Sequence, residues 1–300
     1  MGYLSSHSFI MKNIETIGKV LGLLIGCVFL AFFEGSEAYQ WIWFVVIMIT
    51  IGIPHGAIDH LLANPQIEKK ELYYFIGKYL LIIATYVLVW FFLPKIALLL
   101  FILMSAYHFG QSHFIKNKIY LYKSITYFGL GAFYLCVIFW GDFETTASIL
   151  GSTINLENWK NIGWFVIPGL FFLNTLMLLY FQKKKKLMIW AEMIILGLIL
   201  YSVPLLLGFI IYFGFWHALP SMLIEYKVLK NHFTGNKIAS FVSSLLPFSL
   251  ISLVGIGIIL FVFSNQMKEE DLTMMFFILV ALISAPHIWF MNIFLEAKKS

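Results

Sequence analysis

Histidine is the residue type in this sequence with the strongest claim to chemistry. Of its eight histidines, six (His55, His60, His108, His113, His217 and His287) fall inside long apolar stretches, while His7 and His232 lie in polar segments and are set aside. An ionisable side chain in an apolar span is expensive to desolvate, so each of the six is a functional-site candidate. Imidazole is the usual protein ligand of iron, zinc, copper and nickel. A buried histidine cluster without cysteine partners suits an iron that handles O₂, with a closed tetrahedral zinc as the structural alternative.

Spacing sorts these histidines. His60 follows His55 by five residues, and His113 follows His108 by five. On a regular helix the second of each pair turns about 140° from the first, whereas Asp59 lies only about 40° off the His55 face. His55, His108, His217 and His287 are therefore the expected metal ligands. His60 and His113 are candidates for a supporting role. Asp59 is expected to accept the second ring N–H of a ligating histidine, on its own helix or a neighbouring one. Gly52, Pro54 and Gly56 offer a break that would bring His60 inward.

Such a set needs elements that hold it at one depth. Hydrophobic residues make up 61% of the 300 positions and charged residues 12%, far from the roughly 45–50% and about 25% of soluble domains. The fold class is all-α, a polytopic integral membrane bundle forming one membrane domain over residues 1–300. Ten apolar runs approach the roughly 20 residues needed to cross a bilayer: 17–33, 40–62, 72–93, 95–114, 121–140, 162–181, 187–203, 205–226, 239–263 and 272–295. The seventh and eighth are divided at Pro204. The first also has features of a cleavable signal, with Ser36-Glu37-Ala38 as a faint processing site. The segment 141–161 is expected as a polar loop, and Glu192 is expected to snorkel to the interface.

The net charge of +5 comes from lysines grouped between the runs. With both termini in the cytoplasm, 17 lysines (12, 19, 69, 70, 78, 116, 118, 123, 183–186, 227, 230, 237, 298 and 299) fall on the inner side and three, Lys95, Lys160 and Lys268, on the outer. That asymmetry is the positive-inside signal of a multi-pass protein of the cell (inner) membrane, with the lipid bilayer as partner and no nucleic acid. Cys27 and Cys136 sit in apolar runs and read as small buried hydrophobes. Under this topology the helices of His55, His108, His217 and His287 all run from outside to inside. The four rings then arrive roughly 18–23 Å from the outer helix ends, in the cytoplasmic half of the core. Four unrelated packing histidines have no reason to share a plane.

The segments around these residues resemble a known family. Gly52-Ile53-Pro54-His55-Gly56-Ala57-Ile58-Asp59-His60, Ser105-Ala106-Tyr107-His108-Phe109-Gly110, Phe215-Trp216-His217 and Ala285-Pro286-His287 are similar to the signature segments of the bacteriorhodopsin-related-protein-like (Brp/Blh) β-carotene 15,15′-dioxygenases, over about residues 40–295. The resemblance implies an Fe(2+)-dependent enzyme that uses O₂ to cleave β-carotene at its centre into two retinals, with His55, His108 and His217 as ligands by matching motif. Retinal as product implies a rhodopsin as consumer. Some members carry a further histidine one turn after the position of His217, where this chain has Ser221, and the fourth ligand is assigned to His287 by depth and by its Pro-His segment. Two other classes remain open: a di-iron desaturase or hydroxylase, whose histidines are more numerous and more tightly spaced, and a non-catalytic carotenoid-binding, retinal-binding or transport protein.

Overall fold

The computed structural model describes residues 2–115, 122–181 and 186–297, with the side chains of residues 2–12, 157, 181 and 297 left aside. Lys116, Lys118, Lys183 to Lys185, Lys298 and Lys299, and the side chains of His7 and Lys12, lie outside the described residues. The described residues form helices and no strand. They are α1 (Gly2–Phe32), α2 (Glu37–Ile47), α3 (Asp59–Ala63), α4 (Lys69–Phe92), α5 (Pro94–Ser112), α6 (Lys123–Gly141), α7 (Phe143–Leu150), α8 (Gly163–Phe181), α9 (Lys186–Ser202), α10 (Leu205–Ile211), α11 (Leu219–Leu229), α12 (Lys237–Phe263) and α13 (Glu269–Ala297). Wider π turns at Met48–Gly52 and Tyr212–Ala218 and a 3₁₀ turn at Pro54–Gly56 break two of the spans.

Among the described residues, eight helical stretches are long and apolar enough to cross a membrane: 13–32, 37–63, 69–92, 123–141, 158–180, 205–229, 237–263 and 269–296. The other two apolar runs of the sequence also form helices. One is α5, whose C-terminal end carries His108, Gln111 and Ser112, and the other is α9, 17 residues long. α9 stops at Ser202 and α10 starts at Leu205, with Pro204 between them.

Burial identifies the axis of the bundle. In the stretch 205–229, 78% of the most apolar window is buried, against 6% in α4 and 17% in α12. α10, its π turn and α11 therefore run through the centre, while α4, α8 and α12 turn exposed leucines, isoleucines and phenylalanines outward, as a lipid-facing layer does. Because lipid tails are as apolar as leucine, close backbone approach has to hold such helices together. α5 and α6 meet at Gly110 and Gly131, where an added Cβ would stand 1.7 Å from the Tyr127 carbonyl oxygen and 1.8 Å from that of Ala106. Asn174 of α8 adds a polar link by donating to the Gly129 carbonyl of α6 at 2.9 Å.

Two expectations change. The segment 141–161 is not a plain loop, because Phe143, Thr146 and Ile149 are buried on one face of α7. Asp142 explains its placement: one carboxylate oxygen accepts the Thr145 N–H at 3.3 Å and caps α7, and the other accepts the Leu205 N–H at 3.0 Å and caps α10. Glu192 does not simply reach for the interface. It accepts from Lys19 of α1 at 2.9 Å and from the Trp216 indole at 3.3 Å, tying α1 and α9 to the central helix.

Candidate metal centre

The site begins where two helices lose their regular winding. Pro54 has no N–H to continue the α-helical ladder, and the chain passes from the π turn at Met48–Gly52 into the 3₁₀ turn at Pro54–Gly56 before α3 starts at Asp59. That passage leaves the Gly52 carbonyl available to accept from His55 Nδ1. His217 likewise sits in a π turn, the kind of local widening that recurs at functional sites. His108 lies on α5 two residues from the Gly110 contact, and His287 follows Pro286 inside α13.

The four imidazoles form a closed square. Ring centroids are 5.1 Å apart for His55 and His217, 4.6 Å for His217 and His108, 5.4 Å for His108 and His287, and 4.8 Å for His287 and His55. All four rings are buried, none more than 6% exposed. His55, His108 and His217 each offer a nitrogen within 4.8 Å of the others, close to the roughly 4 Å that separates opposite donors on a metal bonded at about 2.0–2.1 Å.

Hydrogen bonds decide which nitrogen faces inward. His55 uses Nδ1–H on the Gly52 carbonyl. His287 uses Nδ1–H on Asp59, at 3.0 Å from each carboxylate oxygen. His217 places Nδ1 at 2.6 Å from Ser112 Oγ, and the serine hydroxyl donates to the His108 carbonyl at 3.2 Å, so the histidine is the donor of the first bond. Each outer nitrogen thus carries the proton, and each inner nitrogen presents a lone pair. His55 Nε2, His287 Nε2 and both nitrogens of His108 are buried without a hydrogen-bond partner. A buried polar atom left in that state costs about 1–3 kcal/mol. Of these rings, His55 and His108 belong with His217 to the group whose nitrogens lie within 4.8 Å of one another, while His287 adjoins that group by its ring contacts with His55 and His108. The neutral all-nitrogen donor set is one that iron, zinc, copper or nickel accepts.

Asp59 reaches the square through His287, a partner 228 residues away. Gly56 makes room for that pair, since a Cβ there would stand 3.2 Å from His287 Nδ1. The other two candidate supports turn elsewhere. His113 stacks on Tyr134 with centroids 5.1 Å apart and lies 3.2 Å from the Tyr212 hydroxyl. His60 packs on Phe248 at 5.0 Å. Ser112 was not apparent as a site residue from sequence, although its place four residues after His108 puts it on the same helical face. Glu225 was also missed: it is fully buried on α11, within electrostatic reach of Asp59, and neither carboxylate oxygen has a hydrogen-bond partner. Its position eight residues after His217 was the available signal.

A cavity of about 570 Å³ opens on one side of the square, where His55, His287, Asp59 and His60 meet aliphatic and aromatic side chains of α4, α12 and α13. That size lies within the roughly 300–1,000 Å³ of small-molecule sites. Its wall is mostly apolar, with the polar side chains concentrated around His55, Asp59, His60 and His287, so it suits a ligand held more by shape than by hydrogen bonding.

A family model described as β-carotene 15,15′-dioxygenase matches residues 46–295, a span that contains all four histidines and Asp59. A curated relative of the same name, from the uncultured marine bacterium 66A03, is 28% identical over 255 residues, covering 81% of this chain and 90% of the relative. No solved structure matches the chain. The chain belongs to the β-carotene 15,15′-dioxygenase family.

Proposed function

We propose that this protein cleaves β-carotene at its central double bond with O₂, giving two molecules of retinal, at an iron held by His55, His108, His217 and His287. The observation that carries the reading is the buried set of four imidazoles, three of them with an unpaired ring nitrogen, beside a mostly apolar cavity. Iron bound there supplies the activation of O₂. The chain's own residues do the rest. Gly52, Ser112 and Asp59 fix the tautomers of three histidines, and the Asp59 carboxylate offsets part of the metal's charge through His287. The apolar wall of the cavity holds the polyene and keeps water from the reacting centre.

His287 takes the place left open at Ser221, which is buried one turn beyond His217 and carries no imidazole. Among the described residues one cluster of three or more potential metal ligands occurs, which favours one iron per chain over a di-iron centre. A hydrocarbon substrate dissolves in the bilayer, so a site in the cell (inner) membrane meets it without extracting it into water. A retinal-binding rhodopsin is the natural consumer of the product. Expression in cells that already make β-carotene tests the reading: the orange pigment is expected to bleach while retinal accumulates. Unchanged pigment in cells that contain the inserted, iron-loaded protein would reject it.

Two expectations belong to this reading. Asp59→Asn keeps the shape of the pair and removes its charge, and such partners of a metal ligand typically matter by about 10–100-fold. Cleavage or iron affinity is expected to fall within that range, and a variant equal to the parent in both would remove Asp59 from the mechanism. The lysine distribution supports a topology with both termini in the cytoplasm and ten spans. A reporter fused after Ser300 and active only in the cytoplasm is expected to be active, and activity of a periplasm-specific reporter at the same position would reverse the orientation.

A further inference from the structure

The cavity beside His55 and His287 is not sealed by the central packing. α4 and α12 pack on α13 on either side of it, and both are lipid-facing helices. Leu80 of α4 and Ile251 of α12 line the cavity and are still 57% and 68% exposed. The same side chains therefore border the chamber and the bilayer. At the other end of the chamber the unpaired Nε2 atoms of His55 and His287 are buried. The smallest residues that α12 contributes to the wall are Ser252 and Gly255. A Cβ built on Gly255 meets no atom within 4 Å, so the space at this position is open although the residue belongs to the wall.

We propose that the gap between α4 and α12 is the gate by which a long apolar polyene enters from the bilayer, and that Gly255 sets the width of the passage. The inference rests on the carotenoid reading given above. A polar lipid suits the passage poorly, because of the polar side chains that line the cavity His60, Ser252 and Ser284 could meet a headgroup, whereas Asp59 and His287 are engaged with each other, Tyr79 donates to the Ile283 carbonyl, and the outer nitrogen of His55 is used on Gly52. A hydrocarbon chain needs no such partners. A mostly apolar wall with small residues on α12 admits a slender chain on the side that leads to the imidazoles.

Two glycines on the same helix separate the gate from any general effect on α12. Gly257 also has nothing within 4 Å of an added Cβ, but it faces outward and is not part of the cavity wall. Gly255→Phe and Gly257→Phe therefore add the same ring to the same helix at positions where a Cβ meets nothing within 4 Å, one on the cavity wall and one on the outward face. The measurements are β-carotene retained by the iron-loaded protein purified without O₂ from carotene-making membranes, iron content, and the rate of pigment loss when O₂ is admitted. Gly255→Phe is expected to keep its iron and lose retained pigment and kcat/KM by about tenfold or more, with Gly257→Phe within about twofold of the parent. Parental pigment content and rate in Gly255→Phe, or equal losses in both variants, would overturn the gate while leaving the reaction in place. If the parent retains pigment but never cuts it and only Gly255→Phe loses that pigment, the gate stands and the reaction falls. A parent that neither retains nor cuts the pigment removes both.

Discussion

Replacing His55, His108 or His217 by Ala is expected to abolish carotene cleavage and most bound iron while the protein remains inserted in the membrane. Each of these rings contributes a nitrogen to one buried cluster, and imidazoles supply the whole proposed donor set. The loss should exceed the roughly 10–100-fold that follows removal of a partner behind a ligand. His287→Ala is expected to behave as the other three do, because it removes one corner of the square and strands Asp59 without its partner. His60→Ala and His113→Ala should retain iron, since these rings pack on Phe248 and on Tyr134 and Tyr212, and His232→Ala should be near neutral. Iron per chain and the rate of pigment loss check the whole set. Full activity in His287→Ala would assign the fourth corner elsewhere.

The second large effect concerns folding. Gly131→Ala is expected to destabilise the protein and lower its iron content, although the substitution adds one methyl group far from solvent. The new Cβ would stand 1.8 Å from the Ala106 carbonyl oxygen, and the atom in the way is backbone, so α5 and α6 must separate. Overpacking of this kind costs about 1–3 kcal/mol or more. Ala106 lies two residues before His108 on the same helix, so the displacement carries one corner of the square with it. Gly169→Ala is the matched control, because an added Cβ there meets nothing within 4 Å. Thermal melts of the detergent-solubilised protein, with iron analysis, should show a fall for Gly131→Ala and none for Gly169→Ala. An unshifted melt in Gly131→Ala would mean that the two helices do not meet there.

How far the sequence foretells this site depends on the range of the interaction. The four histidines stand out because an imidazole in an apolar run has few cheap explanations, and the break at Gly52, Pro54 and Gly56 is written in residues that weaken a helix. Asp59 is legible as an acid close to the His55 face, yet its partner is His287, because the chain re-forms as α3 after the break and turns the carboxylate to another helix. Ser112 was hidden beside His113, and Glu225 lies two residues before Lys227 at the end of its apolar run, where an acid reads as an interfacial group. α7 was missed because a helix of eight residues in a polar segment depends on Asp142 and on the faces it packs against, neither of which is a local signal. The cavity has no sequence signature, since its volume arises from how α4, α12 and α13 stand apart around α3.

The measurement closest to the central claim follows the oxygen atoms. Cleavage of a carbon–carbon double bond by one O₂ places one oxygen atom on each of two aldehydes, so the reaction balances without a further reductant. Iron-loaded protein given β-carotene and ¹⁸O₂, with immediate reduction of the aldehyde to suppress exchange with water, should yield a single product, retinol derived from retinal, carrying one heavy atom per molecule. Apocarotenals of unequal length would contradict cleavage at the centre, and label shared with water despite rapid reduction would contradict the dioxygenase route.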